Sequence, residues 1–156
     1  MNVFIENSEG KTFPGQILPV DFAELVTIEQ SGQWIFKWEE ERDREIVKIA
    51  LDGYLGEPLG LMAYKAINGF VEISLLEIEK LSIGAGGRYQ NLAGLLFSFA
   101  CLISEDKGYE GYVMFISKTQ LKRHYIDSYG AQILFGDRLF FDKGASEKLQ
   151  KIYLKR

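Results

Sequence analysis

Three β-type runs stand out in the middle of the chain. The segment EIVKIALDGYLGEPLGLMAYKAINGFVEISLLEIEK carries apolar stretches near residues 45–51, 58–67 and 70–80, punctuated by Asp52-Gly53 and Asn68-Gly69. Both dipeptides favour tight hairpin turns, because Asn, Asp and Gly tolerate the left-handed backbone that such turns require. The pattern predicts an antiparallel meander. A helix over about Leu92 to Lys107 follows. Its run LLFSFACLI is apolar on nearly every side, as expected for a helix driven against a sheet, and Gly108 is its natural stop. YEGYVMFIS then reads as a buried strand. TQLKRHYIDSYG reads as a short helix with Thr119 as N-cap and Gly130 at its end. AQILF and RLFFD flank Gly136-Asp137 as a last pair of strands, and SEKLQKIYLKR is a C-terminal helix with Ser146 as its cap.

The N-terminal part is less regular. PVDFAELVTIEQSG has a proline near a helix start, spaced apolar residues and a closing glycine, so it predicts a helix. QWIFKW fits a short strand or an aromatic-anchored turn. The charge run WEEERDRE, Trp38 to Glu45, fits a solvated loop or helix face. A strand–helix–strand unit over about residues 70–117 places two strands parallel in one sheet. The fold class is therefore α+β, or mixed α/β, in a single domain over residues 1–156.

Composition narrows the function. Apolar residues make up 47% and aromatics 13%, so the chain can build a packed core. Net charge is −4, which offers no whole-protein attraction for nucleic acid, and none is expected as a partner. The charge is uneven: residues 1–80 carry 15 acidic and 7 basic groups, residues 81–156 carry 7 and 11. Cys101 is the single cysteine, which suits a reducing cytoplasm. The N-terminus shows no basic-then-apolar leader, and the longest apolar run is too short to span a bilayer. One His and one Cys cannot build a metal cluster between them, so no metal is expected.

The stretch GAGGRYQNLAG, Gly84 to Gly94, carries the sharpest signal. It is not a phosphate loop, since no Gly-Lys-Ser or Gly-Lys-Thr exists, and a dinucleotide fingerprint from Gly84 needs glycine at Tyr89. The physical feature survives both exclusions. A loop of small residues delivers backbone N–H groups to a helix start, where unpaired donors and partial positive charge favour a phosphate.

RYQNLAGLL resembles the pyrophosphate-binding signature of the GNAT superfamily of N-acetyltransferases, which reads Arg or Gln, two residues, Gly, one residue, Gly or Ala. Arg88 fills the first position and Ala93 the last. Asn91 stands where the family has glycine, and asparagine is the non-glycine residue most at ease with positive φ. The element order over roughly residues 45–142 is similar to the family's as well. The resemblance implies a central, mostly antiparallel sheet with a splayed parallel pair, flanked by helices. It implies acetyl-CoA as co-substrate, with its pyrophosphate on Arg88, Tyr89, Gln90, Asn91, Leu92, Ala93 and Gly94, and Lys118 and Lys122 as further phosphate contacts. The expected reaction moves an acetyl group to the primary amine of a small molecule or peptide. A catalytically silent GNAT-shaped binding module is the rival reading, and a homodimer is left open.

The reaction needs a base for the amine and an acid for the departing thiolate. In VEISLLEIEK, Val71, Ile73, Leu75, Glu77 and Glu79 share one face by strand alternation. A carboxylate at the edge of an apolar face suits a base working near neutral pH. Glu77 and Glu79 are the two candidates. Tyr125 resembles the family's proton donor, although Gly130 follows it by five residues rather than four, and Tyr129 is the alternative. His124 reads as a surface or interface residue and Cys101 as inert packing.

Overall fold

A computed structural model describes residues 1–117 and 120–155 of the chain. Among the described residues, eight strands form one mixed sheet, and four α-helices accompany it. The strands are β1 (Asn2–Glu6), β2 (Thr12–Pro19), β3 (Glu45–Leu51), β4 (Gly60–Ile67), β5 (Phe70–Ile78), β6 (Val113–Ile116), β7 (Gln132–Phe135) and β8 (Arg138–Phe141). The helices are α1 (Phe22–Gln30), α2 (Leu92–Asp106), α3 (Lys122–Tyr129) and α4 (Lys143–Leu149). The sheet order is β1-β2-β3-β4-β5-β6-β8-β7. The contacts divide the chain into two compact units, one of Met1–Ala63 with Leu75–Leu96, the other of Tyr64–Ser74 with the chain from Phe97 onward.

In the first unit, β2 pairs antiparallel with β1 (Asn2↔Gln16 to Glu6↔Thr12) and with β3 (Gly15↔Leu51 to Pro19↔Val47). The β1–β2 hairpin lies outside the sequence expectation. Its signal is short: Val3 and Ile5 are buried while Phe4 between them is exposed. Pro19, read as the entry to a helix, instead ends β2. Helix α1 starts at Asp21, whose carboxylate accepts from the Glu24 amide at 2.8 Å, a strong N-cap. Leu25 and Ile28 of α1 pack with Trp38, Ile46, Leu61 and Ala63 as one apolar cluster. QWIFKW forms no strand. Trp38 opens a 3-10 turn (Trp38–Glu41) and is fully buried, while the glutamates after it face outward or lie half-buried. Trp38 is therefore an anchor and its acidic neighbours are surface.

In the second unit, the N-terminal part of β5 pairs in parallel with β6 over Val71↔Val113 to Ile73↔Phe115, the parallel pair that the strand–helix–strand pattern predicted. β6 continues antiparallel to β8, and β8 to β7. Phe97, the first residue of α2 in this unit, lies against Phe115, Phe141, Tyr125 and Tyr129 at centroid distances of 5.1–5.6 Å. Such aromatic pairs add about 0.5–1.5 kcal/mol each beyond area burial, so they fix α3 on the sheet. α3 ends at Gly130 as expected, in the left-handed conformation at φ 77°. The Thr119 cap lies outside the described residues. Ser146 is not a cap: Asp142 caps α4 through the Ala145 amide at 2.8 Å, and the buried Ser146 hydroxyl donates to the Gly111 carbonyl. A serine four residues past an aspartate falls on the inner face of the helix, which burial rewards over capping.

Candidate functional site

Glu77 and Glu79 lie two residues apart, and the fold gives them different surroundings. Strand alternation turns Glu77 inward with Val71 and Ile73, and it is 7% exposed. Its Oε2 accepts from the Ile35 amide at 2.7 Å, and its Oε1 from the Phe36 amide at 3.1 Å and the Trp38 indole at 2.9 Å. A buried carboxylate needs such donors to replace its lost hydration. The three bonds tie the segment before the Trp38 turn to β5.

Glu79 lies one residue past β5, where the chain enters a 3-10 turn (Lys80–Ser82). Its Oε2 accepts from the Ser82 hydroxyl at 2.6 Å and from Arg88 Nε at 3.1 Å, and its Oε1 from Arg88 Nη2 at 2.6 Å. The paired contact matches the fork of a guanidinium to a carboxylate. This bond to Glu79 holds the Arg88 pKa above its ordinary value. Arg88 Cζ also sits 5.2 Å from the Tyr89 ring centre.

The glycine loop is folded on itself. Gly87 lies so close to the 3-10 turn that a Cβ would stand 2.4 Å from the Ser82 carbonyl oxygen, so no other residue fits there. The Arg88 amide donates to Leu81 O at 2.8 Å, the Tyr89 amide to Ser82 Oγ at 3.2 Å and the Gln90 amide to Glu6 O at 2.9 Å. Three of the seven expected phosphate donors are thus already engaged within the protein. Asn91 Oδ1 accepts from the Glu6 amide and Nδ2 donates to Phe4 O, both at 2.9 Å, so its side chain pairs with β1 as a backbone would. Asn91 does not have positive φ, contrary to the reading of why asparagine replaces glycine. Its amide side chain is used for an interaction that glycine lacks. The Leu95 amide donates to Asn91 O, closing the first turn of α2 over Asn91, Leu92, Ala93 and Gly94.

A cleft of about 910 Å³ opens in the same unit, lined by Ile28, Trp34, Tyr54, Glu79, Arg88 and Tyr89 among others. Glu79 thus faces a cavity and Glu77 serves the packing behind it. Glu24 of α1, also at the cleft, is ion-paired with the largely buried Lys48 of β3.

In the second unit, Tyr125 packs against Phe97 and Phe115, and burial raises its pKa. Tyr129 is held higher still, by burial first and by Tyr153. Both hydroxyls therefore keep their protons at neutral pH. Lys122 donates to the Gly136 carbonyl at 2.5 Å and so braces the β7–β8 turn. Lys118 lies outside the described residues. His124 is exposed, with its Nδ1 3.1 Å from Ser128 Oγ. Among the described residues no group of three or more His, Cys, Asp or Glu could hold a metal ion, and no helix is long and apolar enough to cross a membrane.

No protein-family model and no curated protein matches the sequence. Solved structures do match the fold. One is AtaTR bound with AcCoA, 14% identical, with a TM-score of 0.58 over 86% of this chain and 97% of that one. A second is the KacTA–DNA complex, 14% identical, TM-score 0.59, over 88% and 99%. A third is AtaT complexed with acetyl-methionyl-tRNAfMet, 13% identical, TM-score 0.59, over 86% and 98%. These structures correct one expectation drawn from composition. Proteins of this shape are found with DNA and with an acetylated tRNA, so a net charge of −4 is no ground for excluding nucleic acid or for restricting the acceptor to a small molecule or peptide. Net charge averages over the whole surface, whereas a polyanion meets one face. The likeness runs over nearly the full length of both partners in each comparison, and the chain has the GNAT fold.

Proposed function

We propose that the protein is an acetyl-CoA-dependent N-acetyltransferase whose acceptor amine is carried on a nucleic acid, as in an aminoacylated tRNA. The observation that carries the reading is the fold itself, whose similar structures include one bound with AcCoA and one with acetyl-methionyl-tRNAfMet. The local features agree with it. α2 is a fifteen-residue helix, and the dipole at its first turn favours a diphosphate. Asn91, Leu92 and Ala93 head the set of backbone contacts, since the amides of residues 88–90 serve the protein. The parallel β5–β6 register runs from Val71 to Ile73, and the β5 backbone past it would hold the pantetheine arm.

Glu79 is the better base of the two candidates, because it borders the cleft while Glu77 is spent on three internal donors. In the proposed reaction Glu79 takes a proton from the acceptor ammonium. The freed amine attacks the thioester carbonyl, an amide bond forms, and the nitrogen sheds its second proton to water. The carbon–sulfur bond breaks, and the departing thiolate takes up a proton from water. The test incubates the protein with radiolabelled acetyl-CoA and a mixed pool of aminoacylated tRNAs, beside free amino acids and polyamines. Label on tRNA that is released by mild base with the acyl amino acid is the expected result. A protein that neither binds acetyl-CoA in calorimetry nor transfers label to any acceptor refutes the assignment.

A further inference from the structure

Glu79 is assigned to the acceptor's proton and Arg88 opens the stretch that resembles a pyrophosphate signature, yet the structure binds the two to each other. The pair is a fork-to-fork contact at 2.6 and 3.1 Å. It cannot persist while the guanidinium faces a phosphate and the carboxylate faces an amine. We propose that Glu79 gates the donor site: Arg88 holds either Glu79 or the anionic part of acetyl-CoA, and its transfer to the donor frees the Glu79 carboxylate for the acceptor. This rests on the acetyl-CoA reading and adds an order of events to it.

The surroundings suit an exchange. The Arg88 side chain is 48% exposed and the Glu79 side chain 14%, so the arginine is the partner free to move. Tyr89, with its ring beneath the guanidinium, gives the arginine a resting surface close to the start of α2 in either state. Ser82 keeps its hydroxyl on Glu79 Oε2, which holds the carboxylate in place while Oε1 loses its Arg88 donor. Before the exchange, Oε1 accepts from Arg88 and is a poor acceptor for an amine proton. After it, the carboxylate borders the cleft with that oxygen open. Occupancy of the donor site and readiness of the base are then linked, and the linkage is reciprocal.

Calorimetric titration of acetyl-CoA into the full chain tests this with four proteins: wild type, Glu79→Gln, Arg88→Gln and the double variant. Glutamine at 79 keeps an oxygen for the Ser82 hydroxyl, and circular dichroism establishes that each variant is folded. Removing the competitor for Arg88 is expected to tighten acetyl-CoA binding about 3- to 5-fold, the range that a partly exposed ion pair supports. In the Arg88→Gln background the same change at 79 is expected to have no effect. Unchanged or weaker binding by Glu79→Gln overturns the gate. So does equal tightening in both backgrounds, because the carboxylate would then act only by repelling the phosphates through space. Wild-type protein that does not bind acetyl-CoA overturns the functional reading and the gate with it, whereas normal wild-type binding with a flat Glu79→Gln result removes the gate alone.

Discussion

Replacing Glu77 by alanine removes one buried acceptor from three donors at once. The Trp38 indole N–H belongs to a fully buried side chain and has no route to water, so leaving it unpaired costs about 1–3 kcal/mol. The Ile35 and Phe36 amides belong to exposed residues, so water can reach them, and each loses only about 0.5–1.5 kcal/mol of net bond. The total is about 2–6 kcal/mol, a large share of the ~5–15 kcal/mol that holds a domain together. For a chain of this size it corresponds to roughly 4–24 °C in Tm. Glu77→Gln is milder, about 1–3 kcal/mol, because one oxygen still accepts while the new NH2 group meets a donor. Urea unfolding followed by tryptophan fluorescence reads both the midpoint and the environment of Trp38. A Trp38→Phe background separates the indole bond from the two amides: Glu77→Ala there is expected to lose about 1–3 kcal/mol less than in the wild type. If Glu77→Ala shifts stability by under about 1 kcal/mol, the carboxylate does not clamp the segment before Trp38, and its release as a base has to be reconsidered.

Other expectations follow from single contacts. Asn91→Gly, which installs the residue usual in the resembled signature, loses both bonds to β1 and is expected to cost about 1–2 kcal/mol in thermal unfolding, with faster hydrogen exchange at the Glu6 amide; an unchanged Tm contradicts the pairing. Asp142→Ala removes the α4 cap and is expected to cost about 1 kcal/mol near neutral pH. The bonds from the Ala145 amide and Gln132 lower the Asp142 pKa, so its contribution is complete above the unfolded-state value of about 3.9 and is lost as pH falls through the lower folded value. The gap between wild type and variant in urea titrations should therefore close in acid and not in alkali. Burial pushes the Cys101 thiol up to about 12, so a thiol reagent at neutral pH should label it only after denaturant is added; fast labelling of folded protein contradicts its placement in α2.

Much of the architecture could be read from local pattern alone. Asn68-Gly69 and Asp52-Gly53 marked the turns around β4, the apolar run after Asn91 marked α2, and Gly130 marked the end of α3. These are properties of a few neighbouring residues, and the backbone obeys them wherever the segment sits. The β1–β2 hairpin escaped because its signal is three alternating residues. Asp142 displaced Ser146 as cap because the inward face of a helix is set by what packs on it, here Gly111 from a distant turn.

The candidate site divided along the same line. Sequence alternation placed Glu77 and Glu79 on one face and drew attention to the stretch from Arg88 to Gly94. It could not say which carboxylate is enclosed. That depended on a segment forty residues away, whose amides and indole converge on Glu77, and on Arg88 folding back onto Glu79. Local periodicity fixes the direction in which a side chain points. The company it finds there is decided only when remote segments meet, and that company determines whether a charge is a strut or a reagent.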